Sequence, residues 1–323
     1  MSLPFDVPVS PSNTVAKTYA LTNNSNVVTD LTIYKEKFVP LNIYCFKNLI
    51  SLTIYETRFY EFNLDDPSIR SIPAEIGHLI SLRTLRIYDS PVLHLPQEFG
   101  KLNLLTYLVI KNSSLYELPT AIANLSSLST LELSYNKLKT LPSTFSKLSS
   151  LVNLLLSHNQ MRSLPSTTSS LTRLSLLDVQ SNPLTSINEL NNMNTLRTLY
   201  AQNCNINQLP NNIPNLINLN MSYNDLKELL DIGTLGTVNQ VKNFDFSYNQ
   251  IRLIPSAISL IVPYLQKLSV KHNQLKFLPK ELFGQPNAAT TFLDISENLF
   301  SDDELNSIKA TIKSKLPNIK VTY

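Results

Sequence analysis

The stretch Leu128-Ser-Thr-Leu131-Glu-Leu133-Ser-Tyr-Asn136-Lys-Leu138-Lys-Thr-Leu141-Pro142 changes its hydrophobic period part-way along. Leu131-Glu-Leu133 alternates, as a strand does when two Leu point inward and Glu132 points out. From Leu141 through Phe145 and Leu148 to Leu151, apolar residues come at three- and four-residue steps, the pattern of helical or 3-10 structure. Pro142 suits the first helical position, because its φ is fixed and its missing N–H is not needed there. The stretch therefore predicts a strand, a turn and a short helical return.

The same spacing restarts along most of the chain. Leu105, Leu108, Ile110, Leu115 and Leu118-Pro119 repeat it, as do Leu151, Leu154, Leu156, Asn159, Met161 and Leu164-Pro165. Unit starts fall at Val28, Leu49, Leu82, Leu105, Leu128, Leu151, Leu174, Leu196, Leu216, Val241, Leu265 and Thr290. One unit is too small to bury its own Leu side chains. Stacked units bury them against their neighbours, at about 1.5–3 kcal/mol for each aliphatic side chain. Strands about 4.8 Å apart, backed by wider return segments, force the stack to curve with the sheet inside. The expected fold is α/β: a solenoid with one parallel strand per unit on its concave face, short helical or 3-10 segments on its convex face, and a C-terminal capping helix.

A polar column runs through this apolar pattern. Asn136, Asn159, Asn182, Asn224, Asn249, Asn273 and Asn298 each stand three residues after the second strand residue. A buried amide must be hydrogen-bonded, and Asn offers two donors and an acceptor to the turns of its own and the next unit. Thr57, Ser90, Ser113 and Cys204 occupy the same column and can make only part of that pattern.

The repeated LxxLxLxxNxLxxLP pattern resembles the leucine-rich repeat family over roughly residues 28–300. The return Leu118-Pro119-Thr-Ala-Ile122-Ala-Asn-Leu125-Ser-Ser-Leu128 is similar to the intracellular Ras-group branch. The resemblance implies a horseshoe without chemistry of its own that binds proteins on its concave face. The few Gly and the uneven repeat lengths depart from the family pattern.

The expected organisation is an N-terminal tail and cap at 1–27, the solenoid at 28–300 with an insertion near 59–68, and a C-terminal cap at 301–323. The aromatic residues of the insertion read as a packed satellite cluster rather than a partner site. Ser301-Asp-Asp-Glu304 is a capping box, and Leu305, Ile308, Ile312 and Leu316 lie on one helical face that ends at Pro317. Ile319 to Tyr323 offers a last strand.

Composition excludes several functions. The chain has 323 residues, 27 Lys plus Arg, 24 Asp plus Glu, two Cys and five Gly. Its halves, 1–160 and 161–323, carry net charges of +1 and +2, so no basic pole marks a nucleic-acid surface. No apolar run approaches the roughly 18–20 residues that span a bilayer, and the Pro-rich N-terminus does not read as a secretory leader. Two distant Cys make no disulfide framework. Together these features lead us to expect a cytoplasmic protein with no cofactor and no catalytic activity.

The concave wall holds the candidate binding residues. Tyr34, Tyr55 and Tyr88 form a column with Arg83, Arg86 and Tyr107 beside it, and Tyr and Arg are the types enriched at binding hot spots. Val109, Leu155 and Leu176 are aliphatic at wall positions that should be in water, with Tyr200 beyond them, and a clustered exposed apolar patch marks an interface. Lys111 belongs to the same wall, and Glu132 and Asp178 flank the patch and would pair a basic partner. The competing reading is that these are cross-strand pairs that stabilise the sheet. His158 near Asp178 lacks a third ligand or a nucleophile, so a solvated His is expected there. Tyr135, Tyr223 and Tyr248 read as framework.

The expected function is a non-catalytic scaffold or adaptor of intracellular signalling. The Ras-group resemblance implies a small GTPase or a phosphatase complex as partner. The alternatives are a recognition ectodomain for adhesion or innate sensing, and a regulatory module of a larger enzyme. The oligomeric state stays open.

Overall fold

The computed structural model describes residues 18–25, 27–59, 71–237, 242–284 and 290–323. Within them the chain builds one fourteen-stranded sheet whose spatial order is the sequence order. β1 (Tyr19–Thr22) pairs antiparallel with β2 (Val28–Tyr34). The sheet continues through β3 (Ser51–Tyr55), β4 (Thr84–Tyr88), β5 (Tyr107–Lys111), β6 (Thr130–Glu132), β7 (Asn153–Leu155), β8 (Leu176–Asp178) and β9 (Thr198–Tyr200). It ends with β10 (Asn218–Asn220), β11 (Lys242–Asp245), β12 (Leu265–Ser269), β13 (Phe292–Asp294) and β14 (Lys320–Thr322). Every pair from β2 to β14 is parallel. β2 to β13 answer the twelve repeat starts, and β1 adds an antiparallel strand in the segment before them.

The architecture is a leucine-rich-repeat solenoid, with the sheet on the inner wall and short segments returning along the outer one. Among the described residues those segments are 3-10 turns of three to five residues, and α1 (Asp302–Lys315) is the sole α-helix. The apolar residues of each unit, such as Leu131, Leu133, Leu138, Phe145 and Leu148, fill one continuous core between the two walls.

The prolines stand one residue earlier than expected. Pro142 is the N-cap of its turn rather than the first helical residue, with φ −63° and ψ 146°. Its carbonyl accepts the N–H of Phe145 at 2.9 Å, and Pro73, Pro96, Pro119, Pro255 and Pro279 cap in the same way. A locked φ fits extended backbone as well as helix, so Pro ends the descent into the turn while its carbonyl closes the turn's first hydrogen bond.

The shortage of Gly has a structural counterpart. One to three residues after each strand from β2 to β13 a non-Gly residue takes a left-handed conformation: Lys35, Glu56, Asp89, Asn112, Tyr135, His158, Ser181, Asn203, Tyr223, Tyr248, His272 and Glu297, with φ between 45° and 58°. Such a residue costs roughly 1–2 kcal/mol, which the hydrogen bonds of the turn offset. Gly is used on the outer wall instead. At Gly100 a Cβ would stand 2.7 Å from the carbonyl oxygen of Ala121 in the next turn, so Gly there lets consecutive turns approach closely.

The Asn column lies inside, and its partners differ from the expected ones. Asn136 Nδ2 donates to Leu133 O (3.0 Å) and Ser134 O (3.3 Å) in its own turn, and its Oδ1 accepts the N–H of Leu115 at 3.0 Å in the preceding unit. Asn159, Asn182, Asn224, Asn249, Asn273 and Asn298 repeat this, binding the preceding unit and not the next one. The reason is geometric: the amide points back across the sheet toward the turn already laid down. Ser90 makes fewer bonds, donating to Tyr88 O at 2.9 Å and accepting from the N–H of Thr57 at 3.2 Å.

At the C-terminal end, Ser301 Oγ accepts the N–H of Glu304 at 3.2 Å and opens α1. Ile308 and Ile312, with Leu316, close over the core. Acidic residues fill the first turn of the helix and Lys313 and Lys315 the last, as the helix dipole favours. Of the insertion expected at 59–68, Phe59 is buried in the core; residues 60–68, like the tail at 1–17, lie outside the described residues.

Candidate functional site

Parallel register places equivalent residues of successive units side by side on the inner wall. Tyr34, Tyr55, Tyr88 and Lys111 are direct neighbours in one row. Arg86, Val109, Glu132, Leu155, Asp178 and Tyr200 are neighbours in the next.

The tyrosines form a ring-to-ring column. Tyr34 meets Tyr55 edge to face at 6.1 Å, and Tyr55 stacks on Tyr88 at 5.0 Å. Arg86 lies 4.8 Å over the ring of Tyr107. Tyr88 is buried, while Tyr34, Tyr55, Arg86 and Tyr107 are half-exposed. Burial raises the Tyr55 and Tyr107 hydroxyl pKa values, with Arg86 opposing in both. Arg83 stands apart: it is exposed on the loop entering β4, where its carbonyl accepts the N–H of Tyr107 at 3.1 Å.

The aliphatic patch is not in water. Val109, Leu155 and Leu176 are 0%, 6% and 7% exposed. Strands about 4.8 Å apart set Val109 between Arg86 and Glu132, with Tyr107 and Lys111 on its own strand, and these longer side chains close over it. Glu132 and Asp178 are also buried, at 5% and 1% exposed. Glu132 is already paired, to Lys111 Nζ at 3.0 Å. Asp178 accepts two N–H bonds from Gln180, from the backbone at 3.1 Å and from the side chain at 3.2 Å. Burial pushes its carboxyl up to about 6, against those hydrogen bonds. A cavity of about 140 Å3 lies among Tyr107, Lys111, Glu132, Leu155 and Asp178.

Tyr200 is half-buried, and its hydroxyl pKa is raised by burial and by Asp178. His158 leaves the wall for the left-handed turn after β7, where it stacks on Tyr135 at 4.1 Å. Tyr223 and Tyr248 stack likewise at 4.3 Å. Tyr135 and Tyr223 are exposed. Among the described residues no group of three His, Cys, Asp or Glu is placed to hold a metal ion.

Sequence reasoning missed a larger cavity of about 470 Å3 between β8 and β13. Gln180, Tyr200, Gln202, Asn218, Asn220 and Asn243 line much of it. Its signal was available, since Asn and Gln recur there at adjacent wall positions, but each one alone reads as ordinary surface.

The inner wall, the 3-10 returns and the Asn ladder together define a leucine-rich repeat solenoid. The model of the leucine-rich repeat region matches residues 97–276, more than half of the sequence, and the chain belongs to that family. No curated protein sequence matches it. A leucine-rich repeat protein of Leptospira interrogans shares the fold at 22% identity and TM-score 0.52, over 92% of this chain and 90% of that one. An internalin of Listeria monocytogenes does so at 20% identity and TM-score 0.64, over 91% and 86%. The plant peptide hormone receptor RGFR1, solved in complex with RGF2, does so at 19% identity and TM-score 0.58, over 90% of this chain and 54% of that one. No helix among the described residues is long and apolar enough to cross a membrane.

Proposed function

We propose that the chain is a non-catalytic protein-interaction module that docks a polypeptide on its concave wall, mainly over β2 to β5. One observation carries this reading: Tyr34, Tyr55, Arg86 and Tyr107 are prearranged by stacking and cation–π contacts yet stay half-exposed. Large side chains already held in place lose little entropy on binding, and Tyr and Arg are the usual hot-spot types. The buried Val109, Leu155, Leu176, Glu132 and Asp178 support the wall from beneath. Residues 28–300 act in this reading as one binding unit between two caps.

The finer assignment is an intracellular signalling scaffold of the Ras-group branch, with a small GTPase or a phosphatase complex as partner. The Leu-Pro-containing returns and the two free cysteines, Cys45 and Cys204, favour it. A second reading is the recognition module of a larger receptor, favoured by the likeness to RGFR1, of which this chain covers 54%.

Affinity capture and mass spectrometry with wild-type protein, Tyr55→Ala and Arg86→Glu test the docking surface. The expected result is a partner retained by wild type and lost by both variants while both remain folded, Tyr55→Ala at a cost of about 1 kcal/mol. A partner retained equally by all three overturns the assignment.

A further inference from the structure

The charge that the inner wall offers a partner differs from the charge its sequence suggests. Glu132 and Asp178 read in the sequence as carboxylates that would pair a basic partner. The fold takes both out of reach: Glu132 is buried and held by Lys111 Nζ at 3.0 Å, and Asp178 is buried. Asp30 on β2, Glu56 after β3 and Asp89 after β4 have partners as well. Asp30 accepts from Thr29 Oγ1 at 2.9 Å, Glu56 pairs with Lys35 Nζ at 3.3 Å, and Asp89 accepts from Asn112 Nδ2 at 2.5 Å.

Arg86 is placed differently. It is half-exposed on the wall, and among the described residues no carboxylate lies within ion-pair distance of it. In register it stands between Thr53 on β3 and Val109 on β5, neither of which carries a charge. Its guanidinium is fixed 4.8 Å over the Tyr107 ring, a contact that leaves most of its N–H donors for another group. The same guanidinium is near enough to the hydroxyls of Tyr55, Tyr88 and Tyr107 to draw each pKa down, but burial outweighs it and holds all three above the usual tyrosine value. The hydroxyls therefore stay protonated at neutral pH and keep an O–H to donate. Arg86 thus supplies one positive charge among donors, and its neighbours supply no anion.

We propose that Arg86 binds the carboxylate of an Asp or Glu side chain in an extended segment of the partner polypeptide, with the Tyr55 and Tyr107 hydroxyls as further donors. This rests on the reading that a polypeptide docks over β2 to β5. Guanidinium and carboxylate match as a two-bond fork, and an Arg already fixed on a ring gives up little freedom when it binds. Tyr34 and Arg86 stand two strands apart and two residues apart along the strand, a diagonal of about 12 Å. That is the reach of about three or four extended residues, so the acid should lie that far from the residue that meets Tyr34. A basic segment would bring like charge to Arg86. A wholly apolar one would cover the guanidinium and leave it unpaired, which is costly.

Selection of a random dodecapeptide phage library on the full chain tests this. The expected result is a set of peptides with Asp or Glu three or four residues from an apolar or aromatic residue. Replacing the acid by its amide should weaken a selected peptide about ten- to hundredfold in fluorescence anisotropy, the effect of a lost charge-assisted bond. Arg86→Gln should lose the preference for acid over amide, and Arg86→Lys, which keeps the charge without the fork, should retain part of it. Added salt should weaken the acidic peptides more than their amides. Selected peptides without acidic residues, enrichment of Lys or Arg, or an acid preference that survives in Arg86→Gln overturns the proposal. In those cases the polypeptide surface still stands if Tyr55→Ala abolishes binding. A selection that recovers no peptide overturns the proposal and removes that surface with it.

Discussion

The backbone carbonyl of Leu133 accepts side-chain hydrogen bonds from both Asn136 (3.0 Å) and Asn159 (2.9 Å). One oxygen thus joins a turn to itself and to the turn of the following unit. Because the arrangement recurs along the column, the amides tie consecutive units in series, and the polar interior holds the repeats in register as the Leu core holds them together.

The ladder is expected to be costly to break in its middle. Asn159→Ala removes the acceptor for Leu138 N–H and donors to Leu133 O and Leu156 O. With buried groups left unpaired at about 1–3 kcal/mol each, the loss should reach about 3–5 kcal/mol. Urea unfolding of the variant measures it, and a loss below about 1 kcal/mol would contradict the ladder's role.

Cys204 offers the reverse experiment. Its thiol makes long contacts to Val179 O at 3.5 Å and Gln202 O at 3.7 Å. Burial pushes its pKa up to about 11, while the N–H groups of Asn182 and Leu184 lower it. The N–H of Leu184 occupies the place that partners an Asn elsewhere in the column. Cys204→Asn should therefore stabilise the fold by about 1–2 kcal/mol, read as a rise in the denaturant midpoint.

Asp178 gives the stability a pH dependence. Its carboxyl titrates near 3.8 when unperturbed and near 6 in the fold, because it is buried. Between those values the folded state keeps a proton that the unfolded chain has released. Stability from this group is thus full below about pH 4 and lost as pH rises through about 6, by about 3 kcal/mol in all. Lys111 and Glu132 pair with each other nearby, and Glu132 adds to the upward shift. Asp178→Asn should be more stable than wild type at pH 7.5 and flatter from pH 4.5 upward. Parallel pH curves for the two proteins would refute the burial argument.

The wall separates support from contact. Leu155 is buried, so Leu155→Asp places an unpaired charge in the wall and should cost at least about 3 kcal/mol. Tyr55→Ala removes a half-exposed ring and should cost about 1 kcal/mol. Comparing thermal midpoints distinguishes the two, and equal losses would mean the tyrosines are structural.

Reading the chain alone was sufficient for the solenoid, the strand positions, the capping helix and the Asn column, because each follows from local periodicity repeated many times. Leu131-Glu-Leu133 announces a strand wherever its spacing recurs. The direction of the Asn bonds, the N-cap place of Pro142 and the burial of Val109 and Leu155 depended on the folded chain. They follow from what stands beside each residue once units about 4.8 Å apart are stacked, and those neighbours are some twenty residues away in sequence. A wall position between short neighbours is open, and the same position between Arg86 and Glu132 is closed. The cavity lined by Gln202 and Asn243 has the same origin, since only stacking brings these wall residues of different units together.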